Sequence, residues 1–395
     1  MKNGMKGLPQ RFYSLDVLRG LAALAVVVVH WGDFFVYKNP AFDVRILPLY
    51  SILEPVYALG SHAVDLFFCL SGFIFFWLYS EKIKSQATSP KEFAILRFSR
   101  LYPLHLATLL AVAIGQMMMW HSFGAWFACG NNDVKHFISQ LFFASALVNN
   151  SFNHPTWSVS VEILLYGIFF TVCRLNWARW WQLIIYAGLG QLWVMHPGTT
   201  GGIARGVLSF FLGGLSFQIF LFLWKRNLSR RRFIGLGIVV MLLWLLIPWE
   251  VALHFPFASH HAALDYDGSK IVLVMRKAIY WSCQGGCELI LFPLTIATLA
   301  VWESRRGTLG RRIAVLGDIS YSTYMLHFPL QIVFALVALY LGWSWTIFSS
   351  PLLFFMFFAV LISLSLGSHY YFERPAQSMI RTWWLKPKIG KKSAT

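Results

Sequence analysis

The feature that most limits what this chain can become is a series of long apolar runs separated by short basic segments. The first run reads SLDVLRGLAALAVVVVHW from Ser14 to Trp31. About 18 or more such residues cross a hydrocarbon core of roughly 30 Å. Inside lipid every backbone N–H and C=O must be paired within its own segment, so runs of this length read as helices. Ten spans are expected, over 14–36, 57–80, 96–120, 157–175, 180–196, 203–224, 233–250, 281–302, 317–341 and 347–372. A shorter apolar piece, 138–149, reads as re-entrant or interfacial. The predicted fold is therefore all-α and polytopic. Composition excludes one large soluble core: 57% of residues are hydrophobic and 12% charged, against roughly 25% charged in soluble domains.

A net charge of +17 would suit nucleic acid in a soluble protein, but here the cations are segregated. They lie at alternate connections: Lys2, Lys6 and Arg11; Lys82, Lys84, Lys91, Arg97 and Arg100; Arg174 and Arg179; Lys225, Arg226 and Arg230 to Arg232; Arg305, Arg306, Arg311 and Arg312; then Arg374, Arg381, Lys386, Lys388, Lys391 and Lys392. Cations near span ends stay in the cytoplasm, so both termini are expected there, with anionic lipid as a partner and no nucleic acid. Residues 1–376 read as one membrane domain and 377–395 as a basic cytoplasmic tail. The outward connections 37–56, 121–156 and 251–280 carry little charge. The last holds His254, His260, His261, Asp265 and Asp267 and reads as a solvated loop, so no metal ligands are assigned. Cys283 and Cys287, four apart, read as packing residues, and the first span reads as an anchor that is not cleaved.

Ionisable groups inside spans are costly, at least about 2.5–3.5 kcal/mol by insertion scales, and mark function by default. Arg19 and His30 are eleven residues apart, about three helical turns and about 16 Å. They share one face, with small and aliphatic residues between them. Histidine takes a proton near neutral pH and can act as a general base. Asp65 opens the second span close to the outer surface. Pro155 suits the start of the fourth, where Ser158, Glu162 and Tyr166 recur every four residues on one face. Glu162 then reaches a depth compatible with His30. Arg97 and Arg100, three apart in LRFSRLYPLH, present two guanidinium forks suited to phosphate. GDISYSTYMLHFPL begins the ninth span near Asp318 and puts Tyr321 and His327 within it.

Several of these segments together resemble the acyltransferase-3 family of bacterial membrane proteins. The Arg-x10-His motif is matched by Arg19 and His30, VDLFFCLSGF by the family's second helix, and Arg-x2-Arg by Arg97 and Arg100. Trp-Ser-x-Ser-x-Glu is matched by Trp157, Ser158, Ser160 and Glu162, and the C-terminal signatures by ISYSTYMLHFPL and FERPA. The matches run in order from about residue 13 to 376. Many members carry a second carboxylate where Ile163 stands here, which leaves any role of that acid without a residue. No fused SGNH-type esterase segment is matched.

The resemblance implies transfer of an acyl group, commonly acetyl, from acyl-CoA to hydroxyls of surface polysaccharide or a lipid-linked precursor at the inner membrane. No cofactor is expected to be bound permanently, and acyl-CoA is the co-substrate. Arg19, Arg97 and Arg100 are the expected donor dock, and His30 the base, with Glu162 or Asp65 orienting it. Trp157, Ser158, Ser160, Tyr166, Ser71, Tyr321 and His327 are candidates to line the passage or meet the acceptor. The competing reading is a transporter or flippase for a lipid-linked saccharide, for which Gly213 and Gly214 would mark a broken helix.

Overall fold

The computed structural model describes residues 9–36, 42–148, 152–196, 201–226, 229–254 and 285–385. Among them there are helices and turns but no strand. The cysteine at 283, the histidines and aspartates of 255–280 and the lysines beyond 385 lie outside the described residues. Among the described residues, eight segments are long and apolar enough to cross a membrane. The two other expected spans are also helical, at Trp180–Met195 and Arg230–His254, the first of them 16 residues long.

In chain order the main helices are α1 (Tyr13–His30), α2 (Tyr50–Leu59), α3 (Ala63–Lys84), α4 (Pro90–Phe123), α5 (Val134–Leu141), α6 (Trp157–Arg174), α7 (Trp180–Met195), α8 (Gly201–Lys225), α9 (Arg230–His254), α10 (Phe292–Arg306), α11 (Ser320–Tyr340), α12 (Pro351–Gly367) and α13 (Arg374–Trp384). α4 begins six residues before the expected 96 because Ser89 accepts from the Glu92 N–H at 3.1 Å and Pro90 suits a first turn. α5 occupies part of the short apolar piece, capped by Asp133 on the His136 N–H at 2.9 Å. The last span runs on past 372 through a π-turn, Ser368–Glu373. That shift in pairing puts Pro375 in a first turn, where its missing N–H costs nothing.

Three contacts fix α1. Its first turn has no cap of its own, and a helix start leaves four N–H groups unpaired. Buried Glu303 of α10 accepts from the Tyr13 and Ser14 N–H groups at 2.8 Å and from the Ser14 hydroxyl at 2.7 Å. Still near its start, α1 crosses the single turn Val315–Asp318 so closely that a Cβ on Gly317 would lie 2.2 Å from the Asp16 carbonyl oxygen. At its end, Gln331 Nε2 of α11 donates to the His30 carbonyl oxygen at 2.6 Å. The shared face of α1 therefore looks into the bundle.

Gly213 and Gly214 do not break a helix, since α8 is continuous through them. A Cβ on Gly213 would stand 2.0 Å from the Cys69 carbonyl oxygen, and one on Gly72 would stand 1.9 Å from that of Phe210. These glycines let α3 and α8 touch backbone to backbone, the use small residues serve between membrane helices. The apolar interior forms two clusters. One contains Phe73, Phe76, Phe210 and Tyr324, the other Trp31, Phe34, Phe328 and Phe348. His327 falls between Tyr324 and Phe328, where they meet.

Candidate functional site

A cavity of about 120 Å³ opens between α1, α3, α4, α6 and α11. Its walls include Arg19, Arg97, Arg100, Ser71, Glu162, Tyr166, Tyr321, Ser158 and Tyr324, backed by apolar Val64, Phe67 and Phe68. The i, i+4 repeat of α6 is realised as expected, with Ser158, Glu162 and Tyr166 all on this wall. Arg97 and Arg100, three apart on α4, both face it. A second hollow shares Arg19, Ile74, Arg100 and Tyr321 with the first and continues it toward Arg11, Asp16, Asp318, Glu373, Arg374 and Gln377. The two hollows meet at Arg19, Arg100 and Tyr321.

The three arginines are held differently. Arg19 donates to the Gly317 carbonyl at 2.7 Å, to Ser320 Oγ at 3.0 Å and to Asp16 at 3.0 Å, so its charge is already matched. Arg11 joins the same cluster, bridging Asp16 at 2.5 Å and Asp318 at 2.6 Å. Arg97 bonds the Tyr79 hydroxyl at 2.5 Å and sits 4.9 to 6.0 Å over the rings of Phe75, Tyr79, Phe93 and Tyr166. Aromatic faces stabilise a guanidinium without neutralising it. Arg100 makes no ion pair among the described residues and lines both hollows. Two cations with unspent charge on one wall suit an anionic ligand. Glu162 faces them across the cavity, accepting from Ser71 at 3.0 Å and Tyr166 at 2.5 Å.

His30 does not line this cavity. It stands beyond Tyr324, whose hydroxyl bonds Ser158 Oγ at 2.7 Å and the Pro155 carbonyl at 2.8 Å. The Tyr324 ring lies 5.9 Å from that of Phe67 and 5.8 Å from that of His327, so it partitions cavity from histidines. There the His30 ring meets His327 at 5.2 Å and His154 at 5.6 Å, and His30 Nδ1 pairs with Asp33 Oδ2 at 2.9 Å. An imidazole held by a carboxylate on one nitrogen is oriented to exchange a proton through the other.

The carboxylate on His30 is thus Asp33, neither Glu162 nor Asp65. Asp33 follows α1 in a one-turn helix, Asp33–Val36, three residues on, a spacing visible in the sequence. Asp65 is turned away, bound by both oxygens to Arg205 of α8 at 2.6 and 3.0 Å, with His62 and Glu288 beside it. Arg205 and Glu288 were not singled out from the sequence, because only the packing of α8 and the Gly286–Leu291 turn on α3 brings them there. Three of the passage-lining candidates stand off the cavity: Ser160 and Trp157 face elsewhere, and His327 lies behind Tyr324 with His30. Ser160 bonds the Phe143 carbonyl and receives the Ala146 N–H at 3.1 Å, fastening the 143–146 turn. Trp157 packs on Gly202 and Phe68, facing α8. Ile163, where many members carry an acid, packs against the apolar core. In two places among the described residues three metal-binding side chains have donor atoms within 4.8 Å of one another, His30 with Asp33 and His154, and His62 with Asp65 and Glu288.

Residues 12–368 match the family model described as an acyltransferase domain. Acyltransferase MdmB of Streptomyces mycarofaciens is 26% identical over 331 residues, covering 80% of this chain and 78% of that protein. Protein 2 in picA locus of Rhizobium radiobacter is 37% identical over 105 residues, 27% of this chain. The chain spans about half the length of that relative, 46%. No solved structure matches.

Proposed function

This chain belongs to the acyltransferase family matched over residues 12–368, a multi-pass membrane protein that transfers acyl groups, and from that premise we propose its donor, acceptor and route. The donor is acyl-CoA, in the first instance acetyl-CoA, entering from the cytosol. The acceptor is a hydroxyl of a cell-surface polysaccharide or its lipid-linked precursor, presented at the outer face of the bacterial inner membrane. The observation that carries this reading is the confluence of two hollows at Arg19, Arg100 and Tyr321, leading toward a carboxylate-held histidine at the far end of the same helix.

In this reading the CoA phosphates rest against Arg100 and Arg374 in the wider hollow, where charge-assisted hydrogen bonds are strong. The pantetheine arm passes Arg19, and its amides meet Glu162 and Ser71. With Tyr324 swung aside, the thioester reaches His30. The acceptor oxygen attacks the carbonyl carbon; a C–O bond forms and the C–S bond breaks. His30, oriented by Asp33, takes the hydroxyl proton and returns it to the departing thiolate, leaving free CoA. Placing base and donor along one helix answers a substrate pair that lies on opposite sides of the bilayer.

Purified protein incubated with acyl-labelled acetyl-CoA and envelope glycan tests this. Label is expected in the glycan and absent with His30→Ala. Movement of unmodified glycan across vesicles with no label incorporated would instead support the transporter.

A further inference from the structure

We propose that His30, Asp33 and His154 bind a divalent transition-metal ion of the zinc type, and that the bound ion inhibits acyl transfer. Only the second half rests on the function proposed above. Imidazole nitrogens with one carboxylate are a donor set such ions favour. The donor atoms here already lie within 4.8 Å of one another. A tetrahedral ion with bonds of about 2.0–2.1 Å sets its ligand atoms about 3.3 Å apart. Closing the set therefore asks for side-chain shifts of about 1.5 Å. Freedom to shift is present: the His30 and Asp33 side chains are 18% and 20% exposed, and His154 comes from the short turn His154–Thr156 before α6.

A second observation points to a ligand. His327 is fully buried beside His30; backbone groups of Thr323 and Tyr324 in its own helix approach the ring without closing a well-formed hydrogen bond on either nitrogen, and none is made toward His30. Buried polar groups are almost always satisfied. Water on a metal held by the other three residues would supply a partner on the side facing His30. The other cluster, His62, Asp65 and Glu288, is built against a cation, because Arg205 occupies both Asp65 oxygens and brings its own positive charge. The site belongs to the first cluster alone. An ion there takes the imidazole electron pair that would accept the acceptor's proton, and so stops the reaction without touching the donor path.

The experiment uses the full chain in detergent, without a polyhistidine tag and stripped with chelator, titrated with Co²⁺ and then Zn²⁺. One Co²⁺ per chain is expected, with the visible bands of a low-coordinate nitrogen–oxygen site. The bands should vanish in His154→Gln and Asp33→Asn variants that elute as wild type does. Zn²⁺ should lower glycan acylation at least tenfold, and EDTA should restore it. Absence of stoichiometric binding, or bands that survive in both variants, overturns the site. Binding as expected with activity that requires the ion overturns the inhibitory role and the free-base role of His30 together. Binding as expected in a protein that acylates nothing with or without metal supports the site and overturns the proposed function instead.

Discussion

Two pairs with histidine three residues before aspartate stand at helix ends among the described residues, His30 with Asp33 and His62 with Asp65, and they differ in exposure and in what faces them. His62 and Asp65 side chains are 5% and 0% exposed, and Arg205 clamps the carboxylate with two hydrogen bonds. His30 and Asp33 keep 18% and 20%, and no arginine reaches them among the described residues; their neighbours are two more imidazoles. Local spacing is the same in both, so spacing does not decide the role. The third partner differs: the Arg205 guanidinium braces one carboxylate, while no guanidinium reaches the other among the described residues.

The largest expected effect separates the two pairs on chemistry. His30→Ala should lower acyl transfer about 10³-fold, inside the range a positioned proton-transfer group supplies, while the protein inserts and accumulates normally. Full activity in that variant would remove His30 from the reaction. The matching change in the brace acts on folding. Arg205→Ala leaves Asp65 buried without its cation, which costs about 3–5 kcal/mol, so thermal unfolding in detergent should begin well below wild type. Asp65→Asn combined with Arg205→Ala should recover much of that loss. If the single variant unfolds like wild type, the cluster is not a brace.

Asp33→Asn comes next. An amide still fills the space but cannot hold the imidazole as a carboxylate does, so kcat should fall about 10²-fold, at the lower end of what such proton-transfer groups supply, with KM for acyl-CoA unchanged. A rise in KM without loss of kcat would show that Asp33 serves binding instead.

How far the site could be read in advance follows the same division between local and distant partners. Residues related along one helix were legible: Ser158, Glu162 and Tyr166 do share a wall, and Arg97 and Arg100 do face one cavity. The length and apolarity of the runs gave the helices themselves, including α8 through its glycines. Partners brought from elsewhere in the chain were not legible. Depth alone suggested Glu162 or Asp65 for His30, yet depth says nothing about which way a helix is rotated, and α8 delivered Arg205 to Asp65. Asp33 was within reach of a spacing argument, since it lies inside the expected first span, three residues after His30.

Donor binding should respond less than the chemistry does. Replacing Arg97 and Arg100 together by Ala removes the Arg100 guanidinium from the phosphates, where a hydrogen bond to a charged group is worth about 1.5–3 kcal/mol, and the Arg97 guanidinium from beside the pantetheine arm, partly offset by Arg374. KM for acyl-CoA should rise about tenfold or more, with the acceptor KM moving little. Equal changes in both, or a change in the acceptor alone, would take these residues out of the donor path.

The smallest effect tests the partition between the cavity and the histidines. Tyr324→Phe keeps the ring that packs on Phe67 but loses the hydrogen bonds to Ser158 and Pro155, about 1 kcal/mol apiece. The ring should then leave its place more often, admitting water to the thioester when no acceptor is bound. Acyl-CoA hydrolysis without glycan is expected to rise several-fold, while transfer with saturating glycan stays within about twofold, because the swing that admits the donor is made easier and the base is untouched. Ser158→Ala removes one of the same two bonds and should give part of the effect. A partition made only by bulk predicts otherwise: no change in Tyr324→Phe, and a large leak only when the ring itself is removed in Tyr324→Ala. Hydrolysis measured across the three variants therefore tells a latch from a plug.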